Sequence, residues 1–260
     1  MSESTIHPTA VIESGAKIGS NVSVGPYAVI GPNVVIGDGN KISAHVVIEG
    51  HTTIGDNNQF FPFTAIGGEP QSISYKGEPT ETRIGSNNVF RENITVNRGT
   101  MDDEGITSIG DNNLFMAYVH IAHDCRLGSE LLFSNNASLA GHVKVGDYVV
   151  LAGYTLVHQF CRIGEHSFCG VDTFCIQDVP PYMLVAGNKA ITHGINIRGL
   201  KRRGFEKEDI AELKRAYKLI YRSGHTLKAA LDELEAREWS TPHVTALAEF
   251  IRNSKRGVIR

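Results

Sequence analysis

Residues His120–Gln159 read HIAHDCRLGSELLFSNNASLAGHVKVGDYVVLAGYTLVHQ, and this stretch decides the fold. Counted in sixes from Phe115, the positions Ile121, Leu127, Phe133, Leu139, Val145, Leu151 and Val157 are all apolar. A strict six-residue period is the signature of a parallel β-helix built from hexapeptides. Three hexads close one triangular coil, so residues 18 apart in the numbering lie one above the other. On that count Gly141 lies over His123 and Gln159 over Gly141, with His142 and His158 as their neighbours and His120 on the same ladder. Adjacent coils are separated by about 4.8 Å. The stretch therefore gathers groups that handle protons or donate hydrogen bonds on one edge of the prism.

The period begins almost at once and runs through Ile6, Ile12, Ile18, Val24, Ile30, Ile36, Ile42, Ile48, Ile54, Phe60 and Ile66. The fifth hexad position is mostly small or β-branched (Ala10, Ala16, Val22, Ala28), and both positions are expected to face inward. Gly19, Gly25, Gly31, Gly37, Asn57 and Asn58 are expected at corners with positive φ. Two loops interrupt the pattern. Across Gln71–Thr82 the register is expected to survive, because Ile66 and Ile84 are 18 apart. Across Thr100–Ser108 it shifts, because Val96 and Ile109 are 13 apart, one more than two hexads. Loops that break a solenoid beside a histidine cluster are candidates for substrate contact or subunit packing.

The hexads end at Cys175, Pro180-Pro181 closes the last strand, and an irregular connector is expected to lead to Gly199. Beyond it the period is helical: Ile210, Leu213, Tyr217 and Ile220 share one face, Thr226 caps a second helix, and Thr241-Pro242 opens a third. The expected organisation is mainly β. A parallel β-helix spans residues 1–183, with loops at 71–82 and 100–108, and a connector with an α-helical domain spans 184–260. A triangular prism with flat faces favours a threefold ring of copies.

With 41% hydrophobic and 20% charged residues in 260, the chain can build a sizeable core. A net charge of -3 gives no reason to expect nonspecific nucleic-acid binding. There is no apolar run of membrane-spanning length, and Met1 to Thr5 lack the basic-then-apolar pattern of a signal peptide, so a cytoplasmic location is expected. Cys125, Cys161, Cys169 and Cys175 form no Cys-x-x-Cys pair and read as small buried hydrophobes in a reducing compartment.

Lone histidines such as His7, His45, His51, His166, His225 and His243 read as surface or core residues. His123 is different, because the coil count surrounds it with partners. A neutral imidazole is the natural general base near pH 7. Asp124 is placed to orient it, and the N–H of Gly141, with no side chain in the way, is placed to stabilise an oxyanion. Clustered histidines also suit zinc, as in the gamma-class carbonic anhydrases, but that reading leaves the helical domain without a role. Lys201-Arg202-Arg203 is a basic run of the kind that pairs with phosphates.

Over its whole length the sequence resembles the UDP-N-acetylglucosamine O-acyltransferases, the first enzymes of lipid A biosynthesis. The motifs that carry the resemblance are Gly77–Thr80, Asn97–Thr100, His120–Cys125, Asn135–Val143, Val157–Cys161, Asp178–Tyr182 and Gly199–Phe205. The resemblance implies a left-handed parallel β-helix and a homotrimer with its site between subunits. The implied reaction moves an (R)-3-hydroxyacyl group from acyl carrier protein to the glucosamine 3-hydroxyl of UDP-N-acetylglucosamine, with no metal or prosthetic group. It implies His123 as general base and Gly141 N–H as oxyanion donor. His120, His142, His158, Gln159 and Gln71 would contact substrate, and Asn196, Arg202 and Arg203 would lie near the nucleotide and phosphates. Phe168, Val171 and Lys189 match positions near the acyl chain. Val171 falls where some members carry glycine, so shorter acyl chains are expected, each excluded methylene forgoing about 0.8 kcal/mol. A 3-amino acceptor is the alternative to the 3-hydroxyl. The sister N-acyltransferases would be expected to carry a domain ahead of the hexads, and an ice-binding β-helix would be expected to show threonine ladders; neither pattern is present.

Overall fold

A computed structural model of the chain describes residues 4–260. Most hexads form a two-residue strand, and the strands stack into three sheets of eleven, nine and eight strands among the described residues. The sheets are the faces of a left-handed parallel β-helix. The apolar first positions fill the prism: Ile30, Ile48, Ile66, Val96, Ile121, Leu139 and Val157 form one buried column behind the nine-strand face. Behind the eleven-strand face, Phe60, Phe90, Phe115 and Phe133 stack with ring centroids 5.0, 5.1 and 5.2 Å apart. Such pairs contribute about 0.5–1.5 kcal/mol each beyond area burial. At a corner, buried amides satisfy one another along the axis. Asn58 Nδ2 donates to Asn40 Oδ1 at 3.0 Å and Asn88 Nδ2 donates to Asn58 Oδ1 at 2.9 Å. Burial deepens along the first coils: Ile6 is 46% exposed, and full burial begins at Val22.

Three expectations need correcting. Asn57 does have positive φ, at 57°, but Gly19, Gly25, Gly31, Gly37 and Asn58 do not. At many corners the left-handed residue is the third after the inward-facing aliphatic, as at Asn21, Tyr27 and His45. The glycines one step after the aliphatic are required by crowding between coils. A Cβ on Gly19 would lie 2.4 Å from Asp38 Oδ1 and 2.7 Å from the carbonyl carbon of Gly37.

Second, Ile84 does not stack on Ile66: it pairs with Ile54, and Ile66 pairs with Val96. Residues 71–82 lengthen a single corner. The stretch after Val96 does the same, since Ile109 pairs with Ile84. The period fixes which residues face inward, but not how many faces are passed. Both insertions therefore emerge on the edge between the nine-strand and eight-strand faces, the edge that carries His123.

Third, the connector is regular. Met183–Ala186 extends the eleven-strand face, with Cys169 opposite Val185, and Ile191–Ile195 returns antiparallel to it. The boundary expected after residue 183 falls inside that strand.

Four helices follow: α1 (Ile197–Arg202), α2 (Lys207–Arg222), α3 (Leu227–Glu235) and α4 (Pro242–Arg252). Short α1 begins two residues ahead of the expected helical onset at Gly199. Thr226 and Thr241 cap α3 and α4 through their side chains, accepting from Ala229 N–H and His243 N–H. Buried Glu212 of α2 accepts the N–H groups of Ser240 at 3.2 Å and Thr241 at 3.0 Å, which fixes where α4 starts. The chain end then returns to the prism: Ile259 N–H donates to Asp178 O at 2.9 Å. This return lays residues 253–257 alongside the last coils, on the side of His158.

Candidate active site

His123 and Asp124 lie on the corner between strand His120–Ile121 and strand Arg126–Leu127. Asp124 takes the left-handed position of that corner, φ 60°, which turns its side chain into the prism edge rather than out to solvent. There it is fully buried, with Oδ2 2.8 Å from His123 Nδ1. Thr100, at the root of the second insertion, donates its N–H to Asp124 Oδ1 at 2.8 Å and its hydroxyl to Oδ2 at 2.6 Å. Burial alone raises the Asp124 pKa, but the bonds from His123 and Thr100 outweigh it and hold the carboxyl below its ordinary range. A carboxylate at Nδ1 fixes that nitrogen as the protonated one, leaving the Nε2 lone pair for a substrate proton.

Gly141 lies directly over this ring. A Cβ there would sit 2.5 Å from His123 Cε1 and 2.8 Å from Nε2, so any side chain at this position would force the imidazole to move. Its N–H donates to no group among the described residues, while the next residue's N–H, on His142, bonds His123 O at 3.0 Å. His142 packs edge-on to His123 with centroids 5.1 Å apart and stacks on Phe160 at 4.5 Å. Its ring nitrogens lie 3.7 Å from Asp124 Oδ2 and 3.5 Å from Asp103 Oδ2. His120 Nδ1 lies 2.7 Å from Thr95 Oγ1; burial first, and then the His123 charge, lower its pKa. His158 and Gln159 occupy the next corner, with His158 Nδ1 3.1 Å from the Gln159 carbonyl oxygen and 3.3 Å from Arg256 Nη2. The expected cluster of His120, His123, Gly141, His142, His158 and Gln159 is thus assembled on one edge. Gln71 is exposed in the first insertion. That loop is held by Arg98, whose guanidinium donates to Tyr75 Oη at 2.6 Å and Gly67 O at 3.0 Å.

Asn196, Arg202 and Arg203 lie elsewhere. They line a cavity of about 340 Å3 with Tyr148, His166 and Phe168, on the edge between the eight-strand and eleven-strand faces. Asn196 donates to His166 O at 2.9 Å, and Arg203 pairs with Glu130 at 3.1 Å. Phe168 therefore faces the basic cavity, whereas Val171, 70% exposed, and exposed Lys189 do not line it. Within one chain these residues do not meet His123.

Sequence reasoning missed Thr100, Asp103 and Arg256. Thr100 stood inside a noted motif but carried no sign of its partner, 24 positions on. Arg256 reaches His158 from 98 positions away, and no periodicity reports such a contact.

His123, Asp124 and His142 also offer ligand atoms within 4.8 Å of one another, a spacing that could admit a cation. The Asp124 oxygens are already engaged by Thr100 and His123, so a metal would have to displace those bonds. Among the described residues, no helix is long and apolar enough to cross a membrane.

The last part of the chain, residues 178–259, matches the family model for domain 2 of UDP N-acetylglucosamine O-acyltransferase. Residues 2–32 and 15–50 match the bacterial transferase hexapeptide model. An acyl-[acyl-carrier-protein]–UDP-N-acetylglucosamine O-acyltransferase from Janthinobacterium sp. (strain Marseille) is 54% identical over 99% of this chain and 100% of that protein. Its counterpart from Thiobacillus denitrificans is 50% identical over 98% and 99%. Among solved structures, the UDP-N-acetylglucosamine acyltransferase of Bacteroides fragilis superposes with a TM-score of 0.95 at 42% identity, covering 98% of this chain and 99% of that one. That of Francisella novicida gives 0.96 at 40%, covering 98% and 94%. With likeness of this extent at both the sequence and the structural level, the chain belongs to the acyl-[acyl-carrier-protein]–UDP-N-acetylglucosamine O-acyltransferase family of enzymes.

Proposed function

We propose that this enzyme moves an (R)-3-hydroxyacyl group from acyl carrier protein to the 3-hydroxyl of UDP-N-acetylglucosamine, opening lipid A synthesis in the cytoplasm. The observation that carries the reading is the Gly141 backbone lying against a His123 ring that is itself held at 2.8 Å by buried Asp124. The sugar hydroxyl gives its proton to His123 Nε2 as its oxygen attacks the thioester carbon directly. The C–O bond forms, and negative charge gathers on the carbonyl oxygen facing the free Gly141 N–H. When the C–S bond breaks, the imidazolium returns the proton to the departing thiolate. Asp124 stays ionised throughout and stabilises the imidazolium. Its buried bonds favour that ionised form.

The active unit is a homotrimer. His123 and the Asn196–Arg203 cavity occupy different prism edges, so a sugar nucleotide reaching both would bridge neighbouring copies. Exposed Leu156, on the outward nine-strand face, leads from the His158 corner towards Val171, an apolar path for the acyl chain. Four buried free thiols suit a reducing compartment.

The test is a transfer assay with UDP-N-acetylglucosamine, its 3-amino analogue and a length series of 3-hydroxyacyl carrier proteins. A preference for the amino sugar would replace the acceptor. A folded His123→Ala protein with near-normal transfer would remove the base assignment. The cluster spacing favours one second reading, a metal site. Stoichiometric zinc in the pure protein, with activity lost on chelation, would favour it.

A further inference from the structure

Glu130, Tyr148, His166 and Tyr182 stand one above the other on the prism edge that carries the Arg202–Arg203 cavity. Each is left-handed, with φ of 60°, 60°, 56° and 68°. Their coils are tied in succession: the N–H groups of Tyr148, His166 and Tyr182 donate to Ser129 O at 3.0 Å, Asp147 O at 2.9 Å and Glu165 O at 2.9 Å. The rings form a column. Tyr182 faces His166 with centroids 5.9 Å apart, and His166 stacks on Tyr148 at 4.5 Å. The Arg203 guanidinium lies over the Tyr148 ring, 4.7 Å from its centroid, and pairs with Glu130 at 3.1 Å. The His166 ring makes no hydrogen bond among the described residues, so packing alone sets its direction. Burial lowers its pKa and Glu165 raises it only in part, so the ring stays uncharged beside Arg203 near pH 7.

Fully buried Tyr182 is the base of the column. Its hydroxyl donates to Glu165 Oε1 and lies 3.2 Å from His243 Nδ1. With the phenolic proton spent on Glu165, the oxygen can only accept, so His243 Nδ1 is the donor. His243 is the second residue of α4 and packs on Phe205 at 4.5 Å; Phe205 in turn meets the edge of His166 at 4.8 Å. One hydroxyl therefore joins the last coil of the prism to the helical domain. The same tyrosine's carbonyl accepts the Asn196 N–H at 2.7 Å, and the Asn196 side chain holds His166 O at 2.9 Å. Asn196, His166 and Arg203, all lining the cavity, are thus placed from Tyr182.

We propose that Glu165, Tyr182 and His243 are positioning residues for the sugar nucleotide, because their shared hydroxyl fixes the ring column against which Arg203 rests. The inference rests on the assignment of this cavity to the sugar nucleotide made above. Without the hydroxyl bonds the Tyr182 ring is held by packing alone, and the column above it loosens. Arg203 then loses the fixed platform that aims its planar fork at a phosphate. His123 stands on a different edge, so the proton transfer and the acyl donor are not touched.

Tyr182→Phe and Glu165→Ala, singly and together, test the proposal. Tyr182→Phe keeps the ring and its volume, and Glu165 is only half-buried, so the fold should hold. Each is expected to raise KM for UDP-N-acetylglucosamine about fivefold to tenfold, with kcat and the KM for the acyl carrier donor within twofold. The double variant should do no worse than either single one, since both changes remove the same bond. Glu165→Gln keeps an acceptor for the hydroxyl and should restore the sugar-nucleotide KM to within threefold of wild type. A fall in melting temperature with both KM values unchanged would make the link a stabilising contact only and overturn the proposal, as would an equal rise in both KM values. Calorimetric titration with UDP-N-acetylglucosamine, which needs no turnover, keeps this claim apart from the reaction. Affinity that Tyr182→Phe weakens and Glu165→Gln keeps, in an enzyme that transfers no acyl group, would sink the reaction and support the positioning role. Transfer by a wild type whose sugar-nucleotide affinity no variant alters would do the reverse.

Discussion

Replacing Gly141 with alanine adds one methyl group where the structure has no room for it. The new carbon would lie 2.5 Å from His123 Cε1, 2.8 Å from Nε2 and 3.1 Å from Nδ1. Carbon atoms rest at about 3.5–4.0 Å, so the imidazole must retreat by roughly 1 Å. The ring cannot slide freely, because Nδ1 is tethered to Asp124, which Thr100 holds at both oxygens. A misplacement of that size costs about 100-fold in rate. The methyl also crowds the oxyanion position, and loss of one oxyanion donor costs about 10²–10³ in kcat. The expected result is a kcat lowered by about 10²–10³ with little change in either KM, in a protein that still folds. Gly153→Ala is the matched control: its Cβ would meet only Asn135 O, at 3.4 Å, and activity should hold. Steady-state kinetics on both proteins, with circular dichroism for the fold, decide the matter. A Gly141→Ala enzyme within threefold of wild type would refute the claim that this glycine and this imidazole form one site.

Thr100→Val removes the hydroxyl bond to buried Asp124 and should cost about 1–3 kcal/mol in urea unfolding, with kcat falling more than KM changes. The folded pKa of Asp124 lies below its unfolded value, so its stabilisation is complete above about pH 4 and is lost as pH falls through the folded pKa. Asp124→Asn should therefore flatten the acid limb of a stability-versus-pH curve. The His120 pKa is also lowered, so NMR titration should find it neutral below its ordinary value of 6.5, with its share of stability present above pH 6.5 and lost as pH falls towards the folded pKa. Phe90→Ala empties the middle of the aromatic stack and should cost about 3–5 kcal/mol in denaturant titration.

The solenoid was legible because a six-residue period is local. Each hexad buries its own apolar residue against the apolar residues of the coils above and below, so Ile30, Ile48 and Ile121 announce the core without any knowledge of the rest. The same count stacked Gly141 on His123, since no insertion interrupts the chain between them. It failed where an insertion does, because a number of residues does not say how many faces they cross: Ile84 rests on Ile54, not on Ile66. It also misread the corner glycines, which relieve crowding between coils that only stacking creates. Three features came from the tertiary structure alone: Thr100 gripping Asp124, the chain end bringing Arg256 to His158, and the placement of the Arg202–Arg203 cavity on a different prism edge from His123. Each joins groups far apart in the chain through bends and returns that leave no periodic trace, and burial decides their chemistry once they meet.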